Sequence, residues 1–187
     1  MSPKKVVQNV PGLKGTETEK NLLAAFAGES QARNKYEFFA EIAEKEGYRQ
    51  IGQIFRETAI NERMHAKRFL QAATNLGTTE ENLLMAAAGE NEEWTMLYRD
   101  FEVKAREEGF EEVADLFKEI AEVEEAHEKR YRALAESVKA GKVFTRDTAV
   151  DWHCLNCGYI HNGTEAPDIC PACQHPQGWY EVAPYNY

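Results

Sequence analysis

The sequence predicts an all-α four-helix bundle followed by a small β/loop domain that a metal ion holds together. Three observations predict this. Residues 17–140 consist mostly of strong helix formers and contain no proline. Glycines divide the stretch at regular intervals. All four cysteines lie near the C-terminus. We place the bundle at residues 1–145 and the small domain at residues 146–187.

The helix boundaries follow from capping signals. Thr16-x-x-Glu19 and Thr78-x-x-Glu81 both fit the capping box that begins a helix. Four glycines are spaced as residues that follow a helix end: Gly47, Gly77, Gly109 and Gly141. These signals predict four helices of roughly 28 residues, each about 42 Å long. Short connections make neighbouring helices antiparallel, which favours a bundle.

An internal repeat supports this division. Residues 82–90 match residues 21–29 at all but two positions, and Glu124-x-x-His127 matches Glu62-x-x-His65. The bundle is therefore predicted to contain two copies of one helical hairpin.

The two copies differ by one inserted residue in the third helix. The separation between Glu90 and Tyr98 is one residue longer than the matching separation between Glu29 and Tyr36. An uninterrupted α-helix would rotate all later positions by about 100°. If both copies turn the same face inward, the extra residue must be absorbed locally. We therefore predict a π-bulge within residues 91–98.

The repeated Glu-x-x-His motif predicts a metal centre in the bundle. A spacing of three places both side chains on one helix face. A lone glutamate precedes each motif on the partner helix, Glu29 and Glu90. This combination is the ligand set of a carboxylate-bridged di-iron or di-manganese bundle. A single Glu-x-x-His also arises on a solvated, glutamate-rich face, but here the bundle's only two histidines occupy matching positions in the repeat.

Three further residues are candidates near this centre. Glu93 lies one turn from Glu90 and has no acidic counterpart in the first helix, so it is an alternative ligand or a surface acid beside Glu92. Tyr36 and Tyr98 fall near the same level and could donate hydrogen bonds to ligand carboxylates. Packing of their rings in the core explains them equally well.

The C-terminal cysteines form two pairs, Cys154-x-x-Cys157 and Cys170-x-x-Cys173. In a reducing compartment this spacing is typical of a tetrahedral thiolate metal site. Two disulfides, or a redox-active pair, are the alternatives. Four aromatic residues are predicted to form a small core: Trp152, Tyr159, Trp179 and Tyr180. Three histidines have no acidic or thiolate residue at a ligand spacing and are interpreted as surface or packing residues: His153, His161 and His175.

Several of these segments together resemble the rubrerythrin family: residues 13–22, both Glu-x-x-His motifs, residues 89–94 and the cysteine pairs. The resemblance covers nearly the whole chain from residue 13. It implies a ferritin-like di-iron bundle with a rubredoxin-like Fe(Cys)4 domain. Gln174 departs from the glycine usual in free rubredoxins. A zinc ribbon has the same cysteine spacing, and we favour iron because the bundle needs an electron source and zinc has no redox chemistry.

The resemblance also implies roles for the individual residues of the di-iron centre. Glu62 and Glu124 would bridge the two irons. Glu29 would be a terminal ligand of the first iron. Glu90 and His127 would bind the second iron. On reduction, the first iron would exchange Glu93 for His65.

Composition limits the function classes. The chain carries 22 basic and 32 acidic residues, a formal charge of −10, which argues against nucleic-acid binding. No apolar run approaches the ~18 residues of a membrane span, and no apolar segment follows the N-terminal charges. We therefore expect a cytoplasmic protein. The resemblance implies a peroxidase that reduces hydrogen peroxide to water and protects against oxidative stress. Its electrons would pass from an NAD(P)H-dependent reductase or rubredoxin through the Fe(Cys)4 site.

Helix length predicts the quaternary structure. His127 lies about 21 Å from Gly141 along a helix axis, and the Fe(Cys)4 domain begins beyond that point. Because electron tunnelling decays steeply with distance, we predict a head-to-tail homodimer in which one chain's domain approaches the other chain's irons. The competing functions are an iron-storing ferroxidase and a redox sensor.

Overall fold

The structure is a computed structural model that describes residue 8, residues 10–74 and residues 76–185. It contains two compact units, the first ending at Leu76 and the second beginning at Gly77. The helices of the first unit are α1 (Glu17–Lys45) and α2 (Arg49–Ala73). The helices of the second are α3 (Thr79–Glu92), a π-helical segment (Glu93–Leu97), α4 (Tyr98–Glu107) and α5 (Glu111–Lys139).

Three strands follow α5: β1 (Thr145–Cys154), β2 (Ile160–Glu165) and β3 (Tyr180–Val182). Since α3, the π-helical segment and α4 form one continuous helix, the described residues form four long helices followed by a small strand domain. The predicted fold class is confirmed. Among the described residues, no helix is both long enough and apolar enough to cross a membrane.

Both predicted helix starts are confirmed. The hydroxyl of Thr16 accepts a hydrogen bond from the Glu19 amide at the start of α1. The Glu19 carboxylate reaches one residue further back and accepts from the Gly15 amide. Thr78 and Glu81 form a complete capping box at the start of α3. Each cap satisfies backbone N–H groups that have no partner within the helix.

Three of the four predicted helix ends are confirmed. Gly47, Gly109 and Gly141 have φ angles of 91°, 83° and 66°, the left-handed conformation that glycine adopts without steric cost. The prediction for Gly77 is wrong. Helix α2 ends at Ala73, and its cap residue Thr74 is already extended, so no left-handed residue is needed there.

The predicted π-bulge is confirmed. The Tyr98 amide donates to the carbonyl of Glu93, five residues earlier, and the π-helical segment spans Glu93–Leu97. Helix α1 continues without interruption through the matching part of the first hairpin. The inserted residue is therefore accommodated inside a continuous rod, which preserves the orientation of later residues.

The first hairpin consists of α1 and α2, and the second consists of α3, the π-helical segment, α4 and α5. Small residues line the buried face of each hairpin. In the first hairpin these include Ala40, Gly52 and Ala59. In the second they include Ala87 and Ala114. Small side chains let two helices approach closely. This approach brings polar groups on facing helices within reach of a common ligand.

The strand domain is an antiparallel sheet in the order β2-β1-β3. Trp152 on β1 is fully buried, its indole N–H donates to the Gly163 carbonyl, and Tyr180 is buried beside it. The prediction of a four-residue aromatic core is wrong for the other two members. Tyr159 and Trp179 are 37% and 42% exposed, because the interior of so small a domain is already filled by Trp152, Tyr180 and two cysteines.

Candidate metal centres

The first hairpin brings together Glu29 from α1 with Glu62 and His65 from α2. One ligand atom from each lies within 4.8 Å of the others. His65 Nδ1 is 2.8 Å from a Glu62 oxygen and 3.9 Å from a Glu29 oxygen. The i,i+3 spacing within α2 places the imidazole and the Glu62 carboxylate on one face, and α1 supplies the third group.

The second hairpin repeats this arrangement. Glu90 from α3 lies with Glu124 and His127 from α5. His127 Nδ1 is 2.6 Å from a Glu124 oxygen and 3.8 Å from a Glu90 oxygen. These distances nearly equal those of the first hairpin, so the sequence repeat produces a repeat of geometry. Each hairpin contributes two carboxylates and one imidazole.

In each group one carboxyl group has a raised pKa. The pKa of Glu29 is raised, first because it shares a hydrogen bond with Glu62 and also through burial. The pKa of Glu90 is raised by burial first, and then by a hydrogen bond to Glu124 and by the negative charges of Glu124 and Glu93. Two carboxylates this close resist ionising together unless a positive charge lies between them. A bound cation would remove that repulsion.

Glu93 and Tyr98 lie beside the second group. Glu93 begins the π-helical segment and is not among the three clustered ligand atoms, but its charge acts on both Glu90 and Tyr98. The pKa of Tyr98 is raised by burial first, and then by Glu93 and Glu124, with a hydrogen bond to Glu93 contributing. Tyr98 therefore holds its proton more firmly than a free tyrosine.

The two predicted tyrosines occupy equivalent aromatic clusters. The Tyr36 ring centroid is 6.3 Å from that of Phe39 and 6.1 Å from that of Phe55. Tyr98 packs in the same way on Phe101 and Phe117. Ring packing therefore accounts for part of the role of both residues. Tyr98 in addition interacts with the carboxylates of its hairpin.

One buried acid was missed by sequence reasoning. Glu128 is only 7% exposed, although it lies on a glutamate-rich helix. Its carboxylate accepts hydrogen bonds from Asn91, Trp94 and Arg132. These donors lower the pKa of Glu128 to about 2, and the contribution of Asn91 is the largest, followed by those of Trp94 and Arg132. The available sequence signal was the repeat, since Ala66 stands at the position that Glu128 occupies.

The four cysteines converge in the strand domain. All are free thiols, and their sulfurs lie within 4.8 Å of one another. Cys154 Sγ is 3.8 Å from Cys173 Sγ, and Cys157 Sγ is 3.7 Å from Cys170 Sγ. A tetrahedron with metal–sulfur bonds of ~2.3 Å has edges of about 3.8 Å, whereas a disulfide measures about 2.0 Å. The geometry matches the metal-site prediction rather than the disulfide alternative.

The loops that carry the cysteines present backbone amides to the sulfurs. The His175 amide is the main cause that lowers the pKa of Cys173 to about 6. The Tyr159 amide lowers the pKa of Cys157, but the neighbouring thiols and burial outweigh it and raise the value to about 12. Burial raises the pKa of Cys170, while the Tyr180 hydroxyl and two backbone amides bring it below the usual value. Amide donors of this kind also stabilise metal-bound thiolates.

The residue that departs from the rubredoxin pattern adopts a special conformation. Gln174 has φ 61°, the one positive φ among the described residues other than glycine. The backbone amide of Gln174 donates to the Cys170 carbonyl, as the backbone amide of Gly158 donates to the Cys154 carbonyl in the other loop. The side-chain amide of Gln174 lies 3.4 Å from the carbonyls of Cys170 and Pro171. The loop therefore keeps its shape without the glycine.

One histidine of the strand domain has an acidic partner on another strand. His153 Nδ1 lies 2.9 Å from a Glu181 oxygen, because β1 and β3 place these residues opposite each other. Such a cross-strand partner cannot be found from local spacing. His175 packs edge-on against Trp179, with ring centroids 4.9 Å apart.

The donor sets suit iron at both places. Oxygen and imidazole ligands are those of iron and manganese, and four thiolates bind iron or zinc. A protein-family model described as Rubrerythrin matches residues 20–135. The chain belongs to the rubrerythrin family. A second model, the rubrerythrin rubredoxin-like domain, matches residues 152–181. The donor types of the two carboxylate and histidine groups are those of a di-iron protein, and the cysteines form the rubredoxin-like site.

Rubrerythrins of other organisms match over nearly the full length. Rubrerythrin-1 of Clostridium acetobutylicum is 52% identical, over 94% of this chain and 98% of that protein. The rubrerythrin of Porphyromonas gingivalis is 50% identical over the whole of both chains. A solved structure of nigerythrin in a partially reduced state is 31% identical, covers 96% of this chain and 94% of that chain, and has a TM-score of 0.36. Members of the rubrerythrin family are oxidoreductases.

Proposed function

We propose that this chain is a non-haem di-iron peroxidase that reduces hydrogen peroxide to water and so protects the cell against oxidative stress. The observation that carries the proposal is the pairing of two matched Glu, Glu, His groups with a four-thiolate site in one chain. The reaction consumes one peroxide, two electrons and two protons and yields two waters. When bound, the irons of the bundle would supply the two electrons, and an iron held by the four cysteines would return electrons to the bundle.

In this proposal the ligands follow the family pattern. The resemblance implies that Glu62 and Glu124 would be shared by the two irons. Each carboxylate lies within hydrogen-bond distance of the histidine of its own hairpin. Glu29 completes the first group. Glu90 and His127 complete the second. The resemblance assigns the exchange of Glu93 for His65 to the first iron, and the high exposure of the His65 side chain, 57%, is consistent with a ligand that can move.

Protons are held by residues next to the ligands. The raised pKa of Tyr98 keeps its hydroxyl protonated, and that hydroxyl interacts with the Glu93 carboxylate. Tyr98 therefore orients the Glu93 carboxylate by a hydrogen bond. Tyr36 occupies the equivalent place in the first hairpin. We propose Glu93, His65, Tyr36 and Tyr98 as the residues that serve peroxide reduction beyond fixed ligation.

The electron path favours a head-to-tail homodimer. Helix α5 continues from His127 to Lys139, about 18 Å, before the chain turns toward β1. Each hairpin also exposes large apolar side chains, among them Ile54 and Leu116, of the kind that a subunit interface buries. The external donor is an NAD(P)H-dependent reductase or a rubredoxin, and the site of action is the cytoplasm.

The test combines metal analysis with peroxide consumption. We expect about three irons per chain, and turnover of peroxide with a supplied reductase. Replacing Glu124 with alanine should remove the bundle irons and turnover but retain the thiolate-to-iron absorption. Glu125→Gln removes only a surface pair with Lys129 and is the control. A many-subunit shell that stores iron without catalytic turnover would contradict the proposal.

A further inference from the structure

The second hairpin contains a buried polar network that the peroxidase reaction does not use. Its centre is Glu128, the one buried charged side chain among the described residues. One carboxylate oxygen accepts from Asn91 Nδ2 at 3.0 Å and from Trp94 Nε1 at 2.6 Å. The other accepts from Arg132 Nε at 2.7 Å. A buried carboxylate is costly unless it is hydrogen-bonded, and here both oxygens have partners.

The partners of Glu128 lie on both sides of Glu93. Asn91 belongs to the last turn of α3, and Trp94 is the second residue of the π-helical segment. The Trp94 ring is also covered by the Arg99 guanidinium, 5.4 Å from its centroid. Two side chains that bracket Glu93 are thus attached to one fixed point on α5. This attachment limits the rotation of the intervening residue.

Within α1 and α2, which the structure describes throughout, neither the network nor a π-helical segment is present. By the repeat, Ala66 stands where Glu128 does, and α1 continues as a regular helix. The buried carboxylate and the inserted residue therefore occur together in one hairpin and are absent together from the other. Glu93, the carboxylate without a counterpart, belongs to the same hairpin. The three asymmetric features form one unit.

We propose that Glu128 is a positioning residue that, through Asn91 and Trp94, holds the π-helical segment in the conformation that directs Glu93 toward the metal centre. A π-helical turn has poorer hydrogen-bond geometry than an α-helical turn and needs support from outside the helix. Glu128 supplies that support from α5, the helix that carries Glu124 and His127. One helix thereby fixes both its own ligands and the orientation of Glu93. The inference rests on the role proposed above for Glu93.

The first measurement uses metal-free protein and does not depend on catalysis. Hydrogen exchange, followed by mass spectrometry, is compared in the wild type, Glu128→Ala, Glu128→Gln and Glu125→Gln. We expect exchange in a peptide covering residues 91–98 to accelerate about tenfold in Glu128→Ala, and less in Glu128→Gln, which keeps one acceptor oxygen. Peptides of α1 and α2 should not change. Glu125 also has a basic partner four residues later, but it has no bond to α3, so its variant should match the wild type.

The second measurement tests whether Glu128 acts through Glu93. Anaerobic titration with ferrous ion gives the affinity of the bundle for iron in Glu128→Ala, in Glu93→Gln and in the double variant. Loss of a partner that orients a ligand weakens metal binding about 10- to 100-fold. We expect both single variants to weaken binding and the double variant to be no weaker than Glu93→Gln alone. Trp94→Phe should reproduce part of the effect, since it removes one donor and keeps the ring.

Two results would overturn the inference. One is exchange over residues 91–98 that is the same in Glu128→Ala and Glu125→Gln. The other is a double variant whose affinity loss equals the product of the two single losses, because independent contributions multiply. Iron binding that follows the expected pattern in a protein without peroxide turnover would support the positioning role while contradicting the proposed reaction.

Discussion

The head-to-tail dimer makes a quantitative prediction for mixed dimers. One chain carries Cys170→Ser and Cys173→Ser and has no electron-transfer site. The other carries Glu124→Ala and His127→Ala and has no complete di-iron centre. The two chains are produced together with different affinity tags, and only dimers that carry both tags are collected. Each mixed dimer then contains one intact centre and one intact thiolate site, on different chains.

The expected activity follows from the geometry. Within one chain, α5 alone separates His127 from Lys139 by about 18 Å. If electrons cross between subunits, the one intact pair in each mixed dimer works, and turnover is about half that of the wild-type dimer. If electrons stay within a chain, no pair is intact and turnover is zero. The assay is peroxide consumption with a supplied reductase, with each doubly mutated homodimer as a control.

Two outcomes would refute this reasoning. Activity no higher than that of the homodimer controls would place electron transfer within one chain. Failure to recover any doubly tagged species, together with a native size of one chain, would exclude the dimer itself. A mixed dimer must also retain its iron, so the metal content is measured on the same sample.

Three further predictions concern the strand domain. Trp152→Ala should lower the stability of the domain by about 3–5 kcal/mol, since a fully buried ring and its bond to Gly163 are lost, and thermal loss of the thiolate-to-iron absorption measures this. Gln174→Gly should raise stability by about 0.5–1 kcal/mol, because the left-handed strain outweighs the greater chain entropy of glycine; an unchanged melting temperature would contradict it. In metal-free protein, Cys173 should be alkylated first and half-maximally near pH 6, because its lowered pKa leaves it a thiolate above that value. Cys157, whose pKa is raised to about 12, should react last at neutral pH. Mass spectrometry measures both rates against pH, and the same pH profile for both cysteines would contradict this.

Much of the metal chemistry could be predicted because it is encoded locally. The Glu-x-x-His spacing determines which helix face carries the ligands, and the repeat identifies the lone glutamates as their partners. The same repeat located the π-helical segment, since one extra residue must be absorbed where the two copies lose register. The cysteine pairs predicted the thiolate cluster for a similar reason. Helix capping at Thr16 and Thr78 is also a short-range property.

Other features depend on contacts between distant parts of the chain. Glu128 resembles every other glutamate of α5 until α3 places Asn91 and Trp94 over it. The same holds for His153, whose acidic partner comes from another strand. Gly77 resembled the other helix-end glycines, but α2 ends earlier, at Ala73, and the chain continues through Thr74 in an extended conformation.

The amino-acid sequence by itself therefore determined which residues could bind metal, because ligand spacing and repeat register are properties of neighbouring positions. Tertiary structure decided which acid has its pKa raised by a neighbouring carboxylate, which acid is buried among donors, and how Gln174 completes its loop. Those outcomes depend on burial and on the charge and hydrogen bonds of groups brought from elsewhere in the chain, and a one-dimensional pattern contains none of these.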